Sequence, residues 1–114
     1  PIEIHGDGEQ TRDFTFVHDT ADFTVAIHDD PACRGSELNV ATGVGTSVNE
    51  LVARILQIMN ASDHPIIHTA ERPGDVRRHM ADVTRLDSLL GKHPAVLSED
   101  ALTETVEWYV RELS

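Results

Sequence analysis

Apolar residues along the chain follow two periods, and the switch between them outlines the elements. Ile2 and Ile4 alternate with Glu3 and His5, which predicts a short strand. Gly6-Asp7-Gly8-Glu9 reads as a turn. Phe14 and Phe16, with β-branched neighbours, predict a second short strand ending near Val17. Asp19 is placed to cap a helix running to Asp29, with Phe23, Ala26 and Ile27 on its inner face. Asp30-Pro31 and Gly35 interrupt the chain, and Glu37 to Ala41 reads as a strand with Leu38 and Val40 inward.

The strongest local signal is Ser47-Val48-Asn49-Glu50, a capping box in which the serine and glutamate side chains satisfy each other's backbone N–H groups. Val48, Leu51, Val52, Ile55 and Met59 follow at helical spacing, so a helix is expected to Asn60. Pro65 to Thr69 is a strand. Asp82 or Thr84 caps a short helix carrying Val83, Leu86, Leu89 and Leu90, closed by Gly91. Ser98 caps the last helix, whose apolar stripe is Leu102, Val106, Tyr109, Val110 and Leu113. The order β, β, α, β, α, β, α, α predicts an α/β fold with short strands and about four helices. Such strands make a poor sheet alone and look like additions to a sheet whose main body lies elsewhere.

At 114 residues the chain is expected to be one domain, 1–114. No apolar run approaches the roughly 20 residues that span a bilayer, and no signal-peptide pattern opens the segment. One cysteine, Cys33, precludes an internal disulfide and fits a reducing compartment, so a cytoplasmic location is expected. Twenty acidic residues against nine basic ones give a net charge of −11. A general nucleic-acid surface and an anionic membrane surface are both disfavoured by that field. Eight of the nine basic residues are arginine, and this lysine-poor acidity suggests adaptation to high salt, where screening removes self-repulsion. The chain begins at Pro1 without methionine, and a piece of a longer chain is the expected explanation.

Three features carry candidate chemistry. Gln10-Thr11-Arg12-Asp13-Phe14 puts an arginine between a turn and a strand; a solvated ion pair is the ordinary reading. Glu71-Arg72-Pro73-Gly74-Asp75 fixes a tight turn that holds a guanidinium beside a carboxylate. That pairing suits a ligand with phosphate at one end and hydroxyls at the other, and a charged surface loop is the equal alternative. Four arginines fall between positions 72 and 85, the one region where this acidic chain would welcome an anion. The third feature is Asn39 to Ser47, where a glycine-bearing loop enters a helix N-terminus. It has neither a Walker pattern nor G-x-G-x-x-G, so a plain strand-to-helix connection is preferred. His64 and His68 lack a third close ligand and a shared helical face, so no metal site is expected.

The segment Pro1 to Phe14 followed by Val17-His18-Asp19 resembles the start of the C-terminal part of nucleotide-sugar epimerases and dehydratases, the extended short-chain dehydrogenase/reductases nearest to UDP-glucose 4-epimerase. Leu38 to Gly43 with Ser47-Val48 and Glu50-Leu51, then Arg72-Pro73-Gly74-Asp75 with Ala81-Asp82, then Leu90-Gly91, Pro94 and Thr105 to Tyr109, resemble the following blocks in order. The resemblance implies that Arg12 and Arg72 hold the diphosphate of a nucleotide-sugar from two sides. It implies that Asp75 accepts from the ribose hydroxyls, that the backbone of Glu3, Ile4 and His5 reads the nucleobase, and that Val44 lies near the same nucleotide. It assigns NAD and the Tyr-x-x-x-Lys pair to a Rossmann half absent from this segment. Tyr109 has no lysine four residues on, and Lys92 has no tyrosine four before it. No catalytic residue is therefore expected here, and whether the chain acts as part of an enzyme is left open. Its partners would be a nucleotide-sugar and either the Rossmann half or a second copy, joined through the surface that half would cover. The alternative is a non-catalytic remnant or a self-associating module.

Overall fold

A computed structural model describes residues 1–114. Two small sheets and four helices arise from the sequence signals above, with some shifts. Strand β1 (Ile2–His5) pairs in parallel with β4 (Ile66–Thr69), Ile2 opposite Ile66 and His5 opposite Thr69. The second sheet has the order β3-β2-β5, from Thr46–Ser47, Thr11–Arg12 and Arg78–His79. Within it β2 runs antiparallel to β3 and parallel to β5. The α/β class with four helices and short strands is as expected from the pattern.

The helices show how far caps carry. Helix α2 (Val48–Ile58) starts where Ser47 Oγ accepts from the Glu50 N–H at 3.1 Å, the forward half of the capping box. It ends at a Met59 cap, one turn's fraction short of Asn60. Helix α3 (Thr84–Leu90) is led by Asp82, whose Oδ1 accepts from the Thr84 N–H at 2.9 Å. It closes at Gly91, whose φ of 68° is a left-handed cap. Helix α4 (Glu99–Leu113) is capped by Ser98, which accepts from the Ala101 N–H at 3.1 Å.

Two expectations are corrected. The strand placed at Phe14–Val17 is not formed. The strand lies earlier, at Thr11–Arg12, because that is where β3 and β5 offer partners, and helix α1 (Val17–Asp29) already begins at Val17. Asp19 sits in the first turn and Phe16 takes the cap position, with no side-chain cap. The strand expected at Glu37–Ala41 is also absent, since no neighbouring strand pairs with it. Side chains hold that segment instead: Arg85 Nη1 donates to the Glu37 carbonyl at 3.1 Å and Asn39 Nδ2 donates to the Asp82 carbonyl at 3.0 Å.

Only 11 of 114 residues are buried, which is too few to close a core around four helices. The radius of gyration, 16.6 Å, exceeds the roughly 13–14 Å expected of a close-packed domain this long. Leu86, Leu102, Leu56 and Ile4 are packed. The C-terminal half of the α4 stripe is not: Tyr109, Val110 and Leu113 are exposed, as is Trp108. Between α2, α4 and residues 14–18 lies an open apolar cleft of 660 Å³, walled by Phe14, Phe16, Leu51, Ile55, Leu102 and Trp108. No helix is long and apolar enough to cross a membrane.

Candidate functional site

Of the candidate residues, the second sheet and the turn after β4 bring Arg12 and Asp75 into contact. Arg12 leaves β2 and reaches the 72–76 turn, where Nη2 donates to Asp75 Oδ1 at 2.5 Å and Nη1 donates to the Val76 carbonyl at 2.6 Å. A further bond from Nη1 to the Thr11 carbonyl, 2.7 Å, fixes the plane of the guanidinium. Three of its five N–H donors are thus engaged, leaving Nε–H and one N–H on Nη2. The turn is closed by the Asp75 N–H donating to the Arg72 carbonyl at 3.1 Å, and Gly74 at φ 80° permits it. The Arg72 guanidinium itself makes no hydrogen bond or ion pair within the chain. All residues from Glu71 to Met80 are exposed.

A small hollow of 90 Å³ lies beside this turn, lined by His5, Asp7, Glu71, Asp75 and Arg77 among others. His5 and Asp75, far apart in the sequence, therefore face one space. The His5 ring is held by Thr69 Oγ1 at 3.0 Å, and its carbonyl accepts from Gln10 Nε2 at 2.8 Å. In a parallel ladder alternate residues point their peptide groups to one neighbour. The Ile2 and Gly6 amides donate to β4, so the Ile4 peptide groups also face β4 and those of Glu3 face the free edge of β1. Ile4 is buried, and Glu3 is exposed. Val44 is an exposed loop residue that shares neither a hydrogen bond nor the hollow with Arg12, Arg72 or Asp75.

Two carboxylates, Asp7 and Asp13, escaped the sequence reading as site groups. Asp7 pairs with Arg77 at 2.6 Å, a second tie across the site. The Arg77 hydrogen bond and the Glu9 amide hold the Asp7 carboxyl below the usual carboxylate range, and the same bond raises Arg77. Asp13 accepts from the Thr42 hydroxyl at 2.6 Å, the Thr42 amide at 3.0 Å and the Gly43 amide at 2.8 Å. Burial pushes Asp13 up, but those hydrogen bonds outweigh it and leave the carboxyl below its ordinary value. The one available signal was an aspartate next to Arg12 with a Thr-Gly loop elsewhere in the chain, which spacing alone does not join.

The loop before α2 also bears on a dinucleotide. Its Thr42 and Gly43 amides are taken by Asp13, and the Glu50 amide is taken by Ser47. With those N–H groups engaged, this loop offers no free cradle for a pyrophosphate.

No family profile matches the chain. Individual relatives do. Over about 94% of its length the chain is homologous to the C-terminal part of nucleotide-sugar epimerases and dehydratases of the extended short-chain dehydrogenase/reductases. Among curated proteins it is 41% identical, over 94% of its length, to UDP-glucose 4-epimerase of Mycolicibacterium smegmatis, of which it covers 34%. Among solved structures, UDP-N-acetylglucosamine 4-epimerase from Methanobrevibacter ruminantium in complex with UDP-N-acetylmuramic acid superposes with a TM-score of 0.86. That match has 32% identity and covers 97% of this chain and 35% of the other. UDP-glucuronic acid 4-epimerase from Bacillus cereus, in complex with a UDP-fluoro-sugar acid and NAD, matches at a TM-score of 0.85. There the identity is 28%, over all of this chain and 36% of the other. The chain therefore spans about a third of the length of the relatives it matches.

Proposed function

We propose that this chain is the substrate-binding portion of an NAD-dependent nucleotide-sugar epimerase or dehydratase, anchoring the nucleoside diphosphate and working with a Rossmann half outside these 114 residues. The observation that carries the reading is the 72–76 turn, which holds Asp75 against Arg12 and leaves the Arg72 guanidinium without a partner. Arg12 keeps Nε–H and one Nη2–H for a phosphate oxygen while it braces the turn, and Arg72 supplies a second forked cation. Asp75 has a second carboxylate oxygen for the ribose hydroxyls. The free edge of β1 at Glu3 offers one donor and one acceptor side by side, complementary to a base carrying an imide edge; Ile4 and His5 support that edge. Val44 closes the nucleotide from the loop side. Remote binding of this kind lowers the barrier at a reacting centre held elsewhere.

Calorimetric titration of UDP into the intact enzyme, this chain together with its Rossmann half, tests this. Arg72→Ala is expected to weaken binding by about 2 kcal/mol or more, roughly thirtyfold. Unaltered binding would remove Arg72 from the phosphate site.

The open apolar cleft and the bare Trp108, Tyr109, Val110 and Leu113 favour a partner over that face. The Rossmann half is the occupant we propose. A self-associating, non-catalytic module is the second reading, and sedimentation of the chain separates the two. A concentration-dependent dimer supports the second, whereas a strict monomer that gains stability on adding the Rossmann half supports the first.

A further inference from the structure

The glycine-bearing loop at 42–45 has the form of an anion cradle, and it is already filled from within. Gly43 sits at φ 72°, a left-handed conformation that turns the Thr42 and Gly43 N–H groups to one side. Both donate to the Asp13 carboxylate, at 3.0 and 2.8 Å, and the Thr42 hydroxyl donates to it at 2.6 Å. The Ala81 N–H approaches the same carboxylate at 3.4 Å. Thr42 is 2% exposed, and its hydroxyl oxygen accepts from the Val44 N–H at 3.1 Å. One carboxylate therefore joins three segments that are far apart in sequence. Arg12 is its chain neighbour, Val44 is held through Thr42, and Ala81 closes the exposed segment that carries Arg72 and Asp75.

We propose that Asp13 is a positioning residue of the nucleotide site, setting Arg12 and Val44 relative to the 72–80 segment; this rests on the nucleotide reading above. The chemistry requires a charged, two-oxygen acceptor. An asparagine offers one acceptor oxygen and turns an NH2 group toward N–H donors it cannot accept from. The hydroxyl of Thr42 serves as both donor to Asp13 and acceptor from Val44, so a serine can replace it and a valine cannot.

The test uses the intact enzyme, this chain together with its Rossmann half, with UDP binding by calorimetry and the Thr42 and Gly43 amides followed by nuclear magnetic resonance. Asp13→Asn is expected to weaken UDP binding at least tenfold with the stoichiometry kept near one site per chain. Thr42→Val is expected to lose several-fold, and Thr42→Ser to bind as the parent does. An unchanged dissociation constant in Asp13→Asn, with the Gly43 amide displaced, overturns the proposal. So does a loss that shows only as a smaller binding fraction with the dissociation constant unchanged, since that is what a purely structural tie would give. A parent enzyme that fails to bind UDP, while its Thr42 and Gly43 amides still follow the Asp13 carboxyl on acidification, rejects the nucleotide reading itself and leaves Asp13 a tie of the fold.

Discussion

Two sides of the molecule obey different rules. On the side of β2, the 42–46 loop and the 72–82 segment, most charged groups are matched inside the chain, with the Arg72 guanidinium an exception. Arg12 meets Asp75, Arg77 meets Asp7, and Asp13 gathers five donors, the Thr15 hydroxyl included. No buried side-chain polar atom is left without a partner. On the side of α2, α4 and residues 14–18, apolar groups are unmatched, and Trp108, Tyr109, Val110 and Leu113 stand in water. Hydrogen bonds are directional and saturable, so a loop can complete them from its own neighbours. An apolar face needs area, which a chain of this length does not provide twice. The contrast teaches that polar groups can be satisfied by neighbouring loops, whereas the apolar face is left open by the chain's own elements.

The comparison can be broken or sharpened in three ways. The largest effect is expected within the small packed region: Leu86→Ala, at a fully buried position, should lower unfolding free energy by about 3 kcal/mol in a urea titration. A change below about 1 kcal/mol would show that the packed region is as loose as the open face. Next is acid. Asp13, Asp7 and Asp82 all have carboxyls held below their ordinary range, the last by the hydroxyl and amide of Thr84 and despite some desolvation. A depressed folded value means that the stability is present above the unfolded value near 3.9 and is lost as pH falls through the folded values. Melting temperature should therefore be flat from neutral pH to about 5 and fall below 4, with a shallower fall in Asp13→Asn. A fall centred near pH 6 would assign the transition to histidines instead. The smallest effect is expected on the open face. Trp108→Glu should leave the urea midpoint nearly unchanged and reduce the binding of a hydrophobic dye. A clear loss of stability would mean that Trp108 is part of the core after all.

Legibility in the sequence tracked how local the cause was. The α2 and α4 starts were readable because Ser47 and Ser98 cap groups three residues away. The Glu37–Ala41 stretch has a strand's alternation, but a strand also needs a neighbour, and that is not written in the segment itself. Arg12 and Asp75 were each visible as candidates; that they touch depends on a separation of 63 residues. Asp13 was hidden for the same reason, since its partners at 42, 43 and 81 belong to other segments. The resemblance to a known family supplied what spacing could not, by naming which distant residues belong together.

The parallel pairing of β1 with β4 joins positions 64 residues apart in the chain, Ile2 with Ile66. Closing so long a loop precedes any reward from the contact, so this pair should form late in folding, after the capped helices. The hollow beside His5 is then among the last features to appear. A nucleotide that occupies it would chiefly slow unfolding and do little to hasten folding, because it contacts groups not yet assembled at the barrier.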